Sequence, residues 1–249
     1  MPIIAWVVVF SLLGSLGVVL GAGLLLSVEE RRRRLLLPSL VSYAVGTLLG
    51  AAFLGMLPRA LEGSHSRAVL STTLFGLVLF FILEKLVLWR HCHQAECDIH
   101  SSAGPLILAG DAVHNFVDGF AIAAAFLASI PLGISTSLAV IAHEIPQELG
   151  DFAILLERGY GRGPALVVNL LSSAMTLPGA LIAYFALSAL SRIIPYVLAI
   201  SAASFIYIAA ADLIPGLHRE ISPRSGLRQM VLLLAGIATI LLMQLAGTS

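Results

Sequence analysis

Gly110-Asp111-Ala112-Val113-His114-Asn115-Phe116-Val117-Asp118-Gly119 and Ala142-His143-Glu144-Ile145-Pro146-Gln147-Glu148-Leu149-Gly150-Asp151-Phe152 each interrupt a long apolar run. The runs that contain them, 105–128 and 132–156, match the ~20 residues needed to span a bilayer as a helix. An acidic side chain near the centre of such a helix costs about 2.5–3.5 kcal/mol on insertion scales. Two neighbouring spans with several polar groups each therefore need something in the protein interior to offset that cost.

Outward from these two segments the chain repeats the same plan. Six further apolar runs occupy 3–27, 36–57, 69–89, 164–188, 195–215 and 227–246. Only 11% of the residues are charged and 59% are hydrophobic, far from the roughly 25% charged of a soluble domain. The runs are too long for strands and lack strict alternation, and lipid admits only helices or closed barrels. The expected fold is all-α: a polytopic membrane protein of eight transmembrane helices in one transmembrane domain, 1–249. Residues 3–27 read as a true first span, because the basic cluster Arg31 to Arg34 follows the apolar run rather than preceding it. Placing both N- and C-termini outside puts all but Arg59, Arg67 and Arg192 of the 14 lysines and arginines on the inner side. The balanced net charge offers no surface for nucleic acid. The two cysteines, Cys92 and Cys97, exclude a disulfide scaffold and suit a reducing compartment.

Residues four apart share a helix face. His114 therefore stacks with Asp118, with Asp111 one turn away and Asn115 beside it. His143 stacks with Gln147, while Glu144, Glu148 and Asp151 form an adjoining stripe. Facing stripes bring imidazole, carboxylate and amide groups together, a mixture that suits a borderline divalent cation. The candidate metal ligands are His114, Asn115, Asp118, His143, Glu144 and Gln147. Asp111, Glu148, Asp151 and Asp212 are candidates for supporting or rim positions, Asp212 with a helix cap as the alternative. Pro146 removes a helical hydrogen bond and frees the carbonyl of Ala142, either toward the ion path or as a packing kink. Gly119 and Gly150 are expected to allow close helix approach beside the site, as are Gly17-x-x-x-Gly21 and Gly46-x-x-x-Gly50 within their spans.

These residues resemble the ZIP (Zrt/Irt-like) family of divalent metal transporters, of the bacterial type. The family's His-Asn-x-x-Asp/Glu-Gly pattern is met by His114, Asn115, Asp118 and Gly119. Its His-Glu-x-Pro-His-Glu-x-Gly-Asp pattern is met by His143, Glu144, Pro146, Glu148, Gly150 and Asp151. One position departs: the family's second histidine is Gln147, a weaker and harder ligand, which leaves a second metal position weaker, lost or altered in selectivity. The resemblance implies transport of divalent transition metals into the cytoplasm, zinc first, with iron, manganese and cadmium as alternatives. The metal is cargo, and no resident cofactor is implied. It also implies a homodimer in the cell (inner) membrane and an elevator-type alternating access, in which spans one, four, five and six slide against a scaffold of the others.

The cytoplasmic loop at 90–104 carries His91, Cys92, His93, Cys97 and His100. These residues read either as low-geometry capture of released metal or as a solvated loop without a metal role. Two other functions compete. His143-Glu144 is similar to the start of the His-Glu-x-x-His signature of an intramembrane zinc metalloprotease, but Gln147 stands where the second histidine must be. A non-transporting membrane metal sensor would hold its ion tightly and pass no flux.

Overall fold

The computed structural model describes residues 1–62, 64–92, 103–157, 159–219 and 222–246, and among these it is helical throughout, without a strand. The helices are α1 (Ile3–Ser27), α2 (Glu30–Gly50), α3 (Leu57–Leu61), α4 (Ser66–Cys92), α5 (Ala103–Ala128), α6 (Ile130–Glu157), α7 (Arg162–Ser173), α8 (Thr176–Ala189), α9 (Ile194–Tyr207), α10 (Ile214–Leu217) and α11 (Pro223–Ala246). Short links join them into eight segments of membrane-spanning length, and the chain is a multi-pass membrane protein. Seven of these, among the described residues, are apolar enough to count as spans by hydropathy. The eighth, α6, is long enough at 28 residues. Its polar stripe of His143, Glu144, Gln147, Glu148 and Asp151 is what lowers its hydropathy.

Three of the expected spans are not simple helices. A π-helical turn, Ala51–Met56, connects α2 to α3, and a second, Ile208–Leu213, connects α9 to α10. Each is followed by a proline in the first turn of the next helix, Pro58 and Pro215. A proline offers no N–H to the carbonyl four residues back, so the preceding turn widens. The third interruption divides the expected single span 164–188 at Ala174 and Met175. Pro178 cannot bond the Ala174 carbonyl, and the turn tightens instead, with Leu177 N donating to Ala174 O at 3.2 Å and Met175 N to Ser172 O at 3.0 Å.

Polarity is inverted relative to a soluble protein. Large apolar side chains face outward along α1, α4 and α11, among them Leu16, Leu20, Leu74, Phe75, Leu234 and Leu242. The interior is built mostly of alanines and small polar residues, with larger side chains such as Phe126 and Phe205 filling the gaps. Trp6 and Phe10 on α1 stack against Phe126 on α5, with ring centroids 5.4–6.2 Å apart.

Helices α1, α5, α6, α7 and α8 pack on one another. Helices α2 with α11 and α4 with α9 form the rest, joined to the first group through α2 against α6 and α5 against α9. Two glycine pairs, Gly119 with Gly179 and Gly46 with Gly236, set the tightest approaches to backbone atoms. A Cβ on Gly119 of α5 would lie 2.2 Å from Thr176 O, and one on Gly179 of α8 would lie 2.2 Å from Phe116 O. Between α2 and α11, a Cβ on Gly46 would lie 2.1 Å from Leu233 O. Gly150 behaves otherwise than expected: nothing lies within 4 Å of its Cβ position, so it serves no close contact. Gly17 is open in the same way, while Gly21 has only Ile145 at 3.7 Å.

Helices α5 and α6 form an antiparallel hairpin with Ser129 as the sole link. Ser129 Oγ accepts from Leu132 N at 3.3 Å, an N-cap that starts α6 at once. A link this short fixes the register, so His114 and His143, at nearly equal chain distance from Ser129, come level. At its far end α6 closes with a Schellman motif: Gly159 at φ 85°, Gly159 N to Leu156 O and Tyr160 N to Leu155 O.

Candidate metal centre

His114 of α5 and His143 of α6 point their Nε2 atoms at each other, 3.2 Å apart. Around them, Glu144 Oε1 lies 3.2 Å from His114 Nε2 and 3.5 Å from His143 Nε2. Asp118 Oδ2 lies 3.2 Å from His143 Nε2 and 3.8 Å from His114 Nε2. All four ligand atoms fall within 4.8 Å of one another. A tetrahedral cation with ligands at about 2.0–2.2 Å holds neighbouring ligand atoms about 3.3–3.6 Å apart. The observed separations are close to the edges of such a tetrahedron.

The hydrogen bonding agrees with this geometry. His143 Nδ1 faces the Ala139 carbonyl at 2.9 Å. That contact assigns the N–H to Nδ1 and leaves the Nε2 lone pair toward the cluster, the arrangement in which imidazole binds metals. The four carboxylate oxygens of Asp118 and Glu144 are buried and none is aligned for a hydrogen bond, although two lie near the imidazoles. Among the described residues, no lysine or arginine forms an ion pair with either carboxylate. Buried acceptors without donors are costly in an interior of low dielectric. Here a cation is the partner that their arrangement fits. Three of the side chains are sealed, while His114 keeps 21% of its side-chain surface open.

The two amides sit differently. Asn115 is buried and donates from Nδ2 to Asp111 Oδ1 at 3.3 Å and Asp111 O at 3.2 Å, and its Oδ1 accepts from Thr176 Oγ1 at 3.0 Å. Gln147 Nε2 donates to Asp111 Oδ1 at 3.0 Å. Asp111 also accepts a short hydrogen bond from Ser172 Oγ at Oδ2. Asp111 is thus a buried hub that ties α5 to α6 and to the α7–α8 break. Glu148 is fully buried next to Asp111 and Glu144, and the three carboxylates form a second close group. Asp151 is half-buried one turn further along α6. Asp212 lies outside both groups, in the π turn before α10, lining a cavity of about 280 Å³ with Leu37, Pro38, Val41 and Leu217. His93, Cys97 and His100 lie outside the described residues, as do the side chains of His91 and Cys92.

Sequence reasoning passed over a polar face on α7 and α8. Asn169, Ser172, Ser173 and Thr176 follow i, i+3, i+4, i+7 spacing, the signature of one helix face. All four are buried. Ser172 and Thr176 reach Asp111 and Asn115, Asn169 Nδ2 holds the Glu148 carbonyl at 3.0 Å, and Ser173 accepts at its carbonyl from Ser15 Oγ of α1 at 2.8 Å.

Residues 89–244 match the family model described as ZIP Zinc transporter. The chain is 35% identical to the zinc transporter ZIP13 of Pongo abelii over 227 residues, covering 84% of this chain and 67% of that protein. It is 30% identical to the ZIP13 homolog of Drosophila melanogaster, covering 94% of this chain and 88% of that one. Against ZIP10 of Homo sapiens the identity is 46% over 110 residues, 44% of this chain and only 13% of the relative. With the family model spanning more than half of the sequence and near full-length similarity to the fly protein, the chain belongs to the ZIP zinc transporter family.

Proposed function

We propose that this protein carries divalent transition-metal ions, zinc first, into the cytoplasm through the position formed by His114, Asp118, His143 and Glu144. The observation that carries this reading is the meeting of two imidazole Nε2 atoms and two hydrogen-bond-free carboxylates at tetrahedral spacing inside the membrane-spanning region. Two nitrogens with two oxygens suit zinc, and leave room for iron, manganese or cadmium. The absence of thiolate from the ligand set favours release over permanent retention. The similarity to proteins named as zinc transporters points the same way.

The protein works in the cell membrane as a homodimer, with both termini outside and the basic end of α6 in the cytoplasm. The group α1, α5, α6, α7 and α8 carries the ion by moving against α2, α4, α9 and α11. Hydrolysis of a peptide is not part of this reading, because Gln147 donates to Asp111 and supplies no second histidine.

The test is uptake of radioactive zinc by purified protein in sealed proteoliposomes. The expected result is saturable uptake into loaded vesicles, competed by excess cold zinc and abolished in His143→Ala. Uptake by wild type no faster than by empty vesicles overturns the proposal.

A further inference from the structure

His143 meets an aromatic ring as well as the ligand cluster. Phe205 of α9 lies beside its imidazole, with ring centroids 6.1 Å apart and planes at 63°. Both residues are fully buried, at 0% exposure. The His114 ring also tilts against that imidazole, with centroids 5.4 Å apart and planes at 82°. Tilted rings at such spacings are an arrangement that aromatic side chains favour. Phe205 has no polar atom and cannot ligate a metal, so any influence it has on a bound ion runs through His143.

The sequence of α9 places this ring. Leu198, Ala202 and Phe205 recur at i, i+4, i+7 and are all buried, so they form one face of the helix. Helix α9 packs on α4 and α5, which sets where that face stands. The imidazole needs such support. The outer torsion of a histidine side chain is broad, so it does not fix the ring plane by itself. The contact of Nδ1 with Ala139 O at 2.9 Å holds one edge of the ring. A single bond at one edge still lets the plane tilt, and a large rigid ring packed beside it limits that tilt.

We infer that Phe205 is a positioning residue for the metal centre, holding the His143 imidazole in the plane that aims Nε2 at the ion. The inference deepens the proposed function and rests on it, because it takes His143 as a ligand. The contact also joins the two helix groups. Helix α6 carries His143 in the group proposed to move, and α9 carries Phe205 in the group it moves against. The support is therefore present in the helix register seen here and is lost when the hairpin leaves it. The site binds tightly in this register and less tightly beyond it, which ties the weakening of the site to the movement that release requires.

The test uses purified full-length protein in detergent, with zinc affinity read by equilibrium dialysis against radioactive zinc. Phe205→Leu keeps an apolar side chain and removes the ring. It is expected to weaken zinc binding about tenfold, the lower end of the range for an outer partner of a metal ligand. A double-mutant cycle separates positioning from packing. Added to His143→Ala, Phe205→Leu is expected to change zinc affinity by no more than about twofold, the scatter expected of such cycles. Added to His114→Ala, it is expected to cost the wild-type factor again. In sealed proteoliposomes, Phe205→Leu is expected to raise the KM for zinc without lowering the maximal rate, since the lost contact is not used once the hairpin moves. Thermal unfolding of the metal-free protein shows that the variant is folded, and should Phe205→Leu not fold, Phe205→Met is read in the same way. Unchanged zinc affinity in Phe205→Leu overturns the inference and leaves the metal centre standing, as does an undiminished loss in the His143→Ala background. A lower maximal rate at unchanged KM also overturns it. Wild type that binds no zinc overturns the metal centre, and the inference with it.

Discussion

Gln147 of α6 donates its side-chain amide to Asp111 of α5 at 3.0 Å. The amide is a connector between two helices. Replacing it with histidine exchanges a charge-assisted hydrogen bond, worth about 1.5–3 kcal/mol, for an additional imidazole beside the carboxylates. Gln147→His is expected to shift preference toward zinc over manganese in competitive uptake, and to lower thermal stability in detergent modestly. Gln147→Ala is expected to lose the stability without the shift. Identical metal preference in wild type and Gln147→His contradicts this role.

The α5–α8 contact is set by glycine. A methyl group at Gly119 meets Thr176 O at 2.2 Å, a backbone atom that cannot rotate away. Gly119→Ala is expected to cost about 3 kcal/mol, the upper end of the overpacking range, and to reduce uptake by loosening the Asn115–Thr176 and Asp111–Ser172 bonds across that contact. Gly150→Ala, with open space at its Cβ, is expected to leave thermal stability unchanged or slightly raised, because alanine is the better helix former. Thermal unfolding of the two variants in detergent checks both statements. Equal melting behaviour contradicts them.

Thr176 orients Asn115. Thr176→Val keeps the shape, removes the donor to Asn115 Oδ1 and leaves that buried oxygen unpaired, at about 1–3 kcal/mol. The variant is expected to unfold at lower temperature, while zinc affinity falls by less than in His114→Ala, which removes one of the two imidazoles. Equilibrium dialysis with radioactive zinc compares the two. A loss in Thr176→Val equal to that in His114→Ala contradicts the assignment of Asn115 as a helix connector.

Much of this was legible before the fold. Helix number follows from run length, because lipid leaves the backbone few alternatives. His114 with Asp118, and His143 with Glu144, stand out because polar groups at those depths are expensive. The interruptions at Ala174 and at the two π turns were not read, since each is caused by a proline several residues downstream within an apolar run. The hydrogen bonds of the two amides were not legible either. Spacing places Asn115 and Gln147 on the correct faces, but only the packed structure reveals that Asp111 takes their N–H groups. Ser172 and Thr176 were missed because serine and threonine in a spanning helix usually bond their own carbonyls, and their i, i+3, i+4, i+7 pattern carries meaning only once α7 and α8 are known to face α5.

The account stands on His114, Asp118, His143 and Glu144 holding one cation together. The most direct measurement is zinc K-edge X-ray absorption on purified protein loaded with one zinc per chain. The account predicts two imidazole nitrogens at about 2.0–2.1 Å with oxygen completing the shell, falling to one imidazole in His143→Ala. A zinc with no imidazole in wild type, or with the same imidazole count in both proteins, contradicts it.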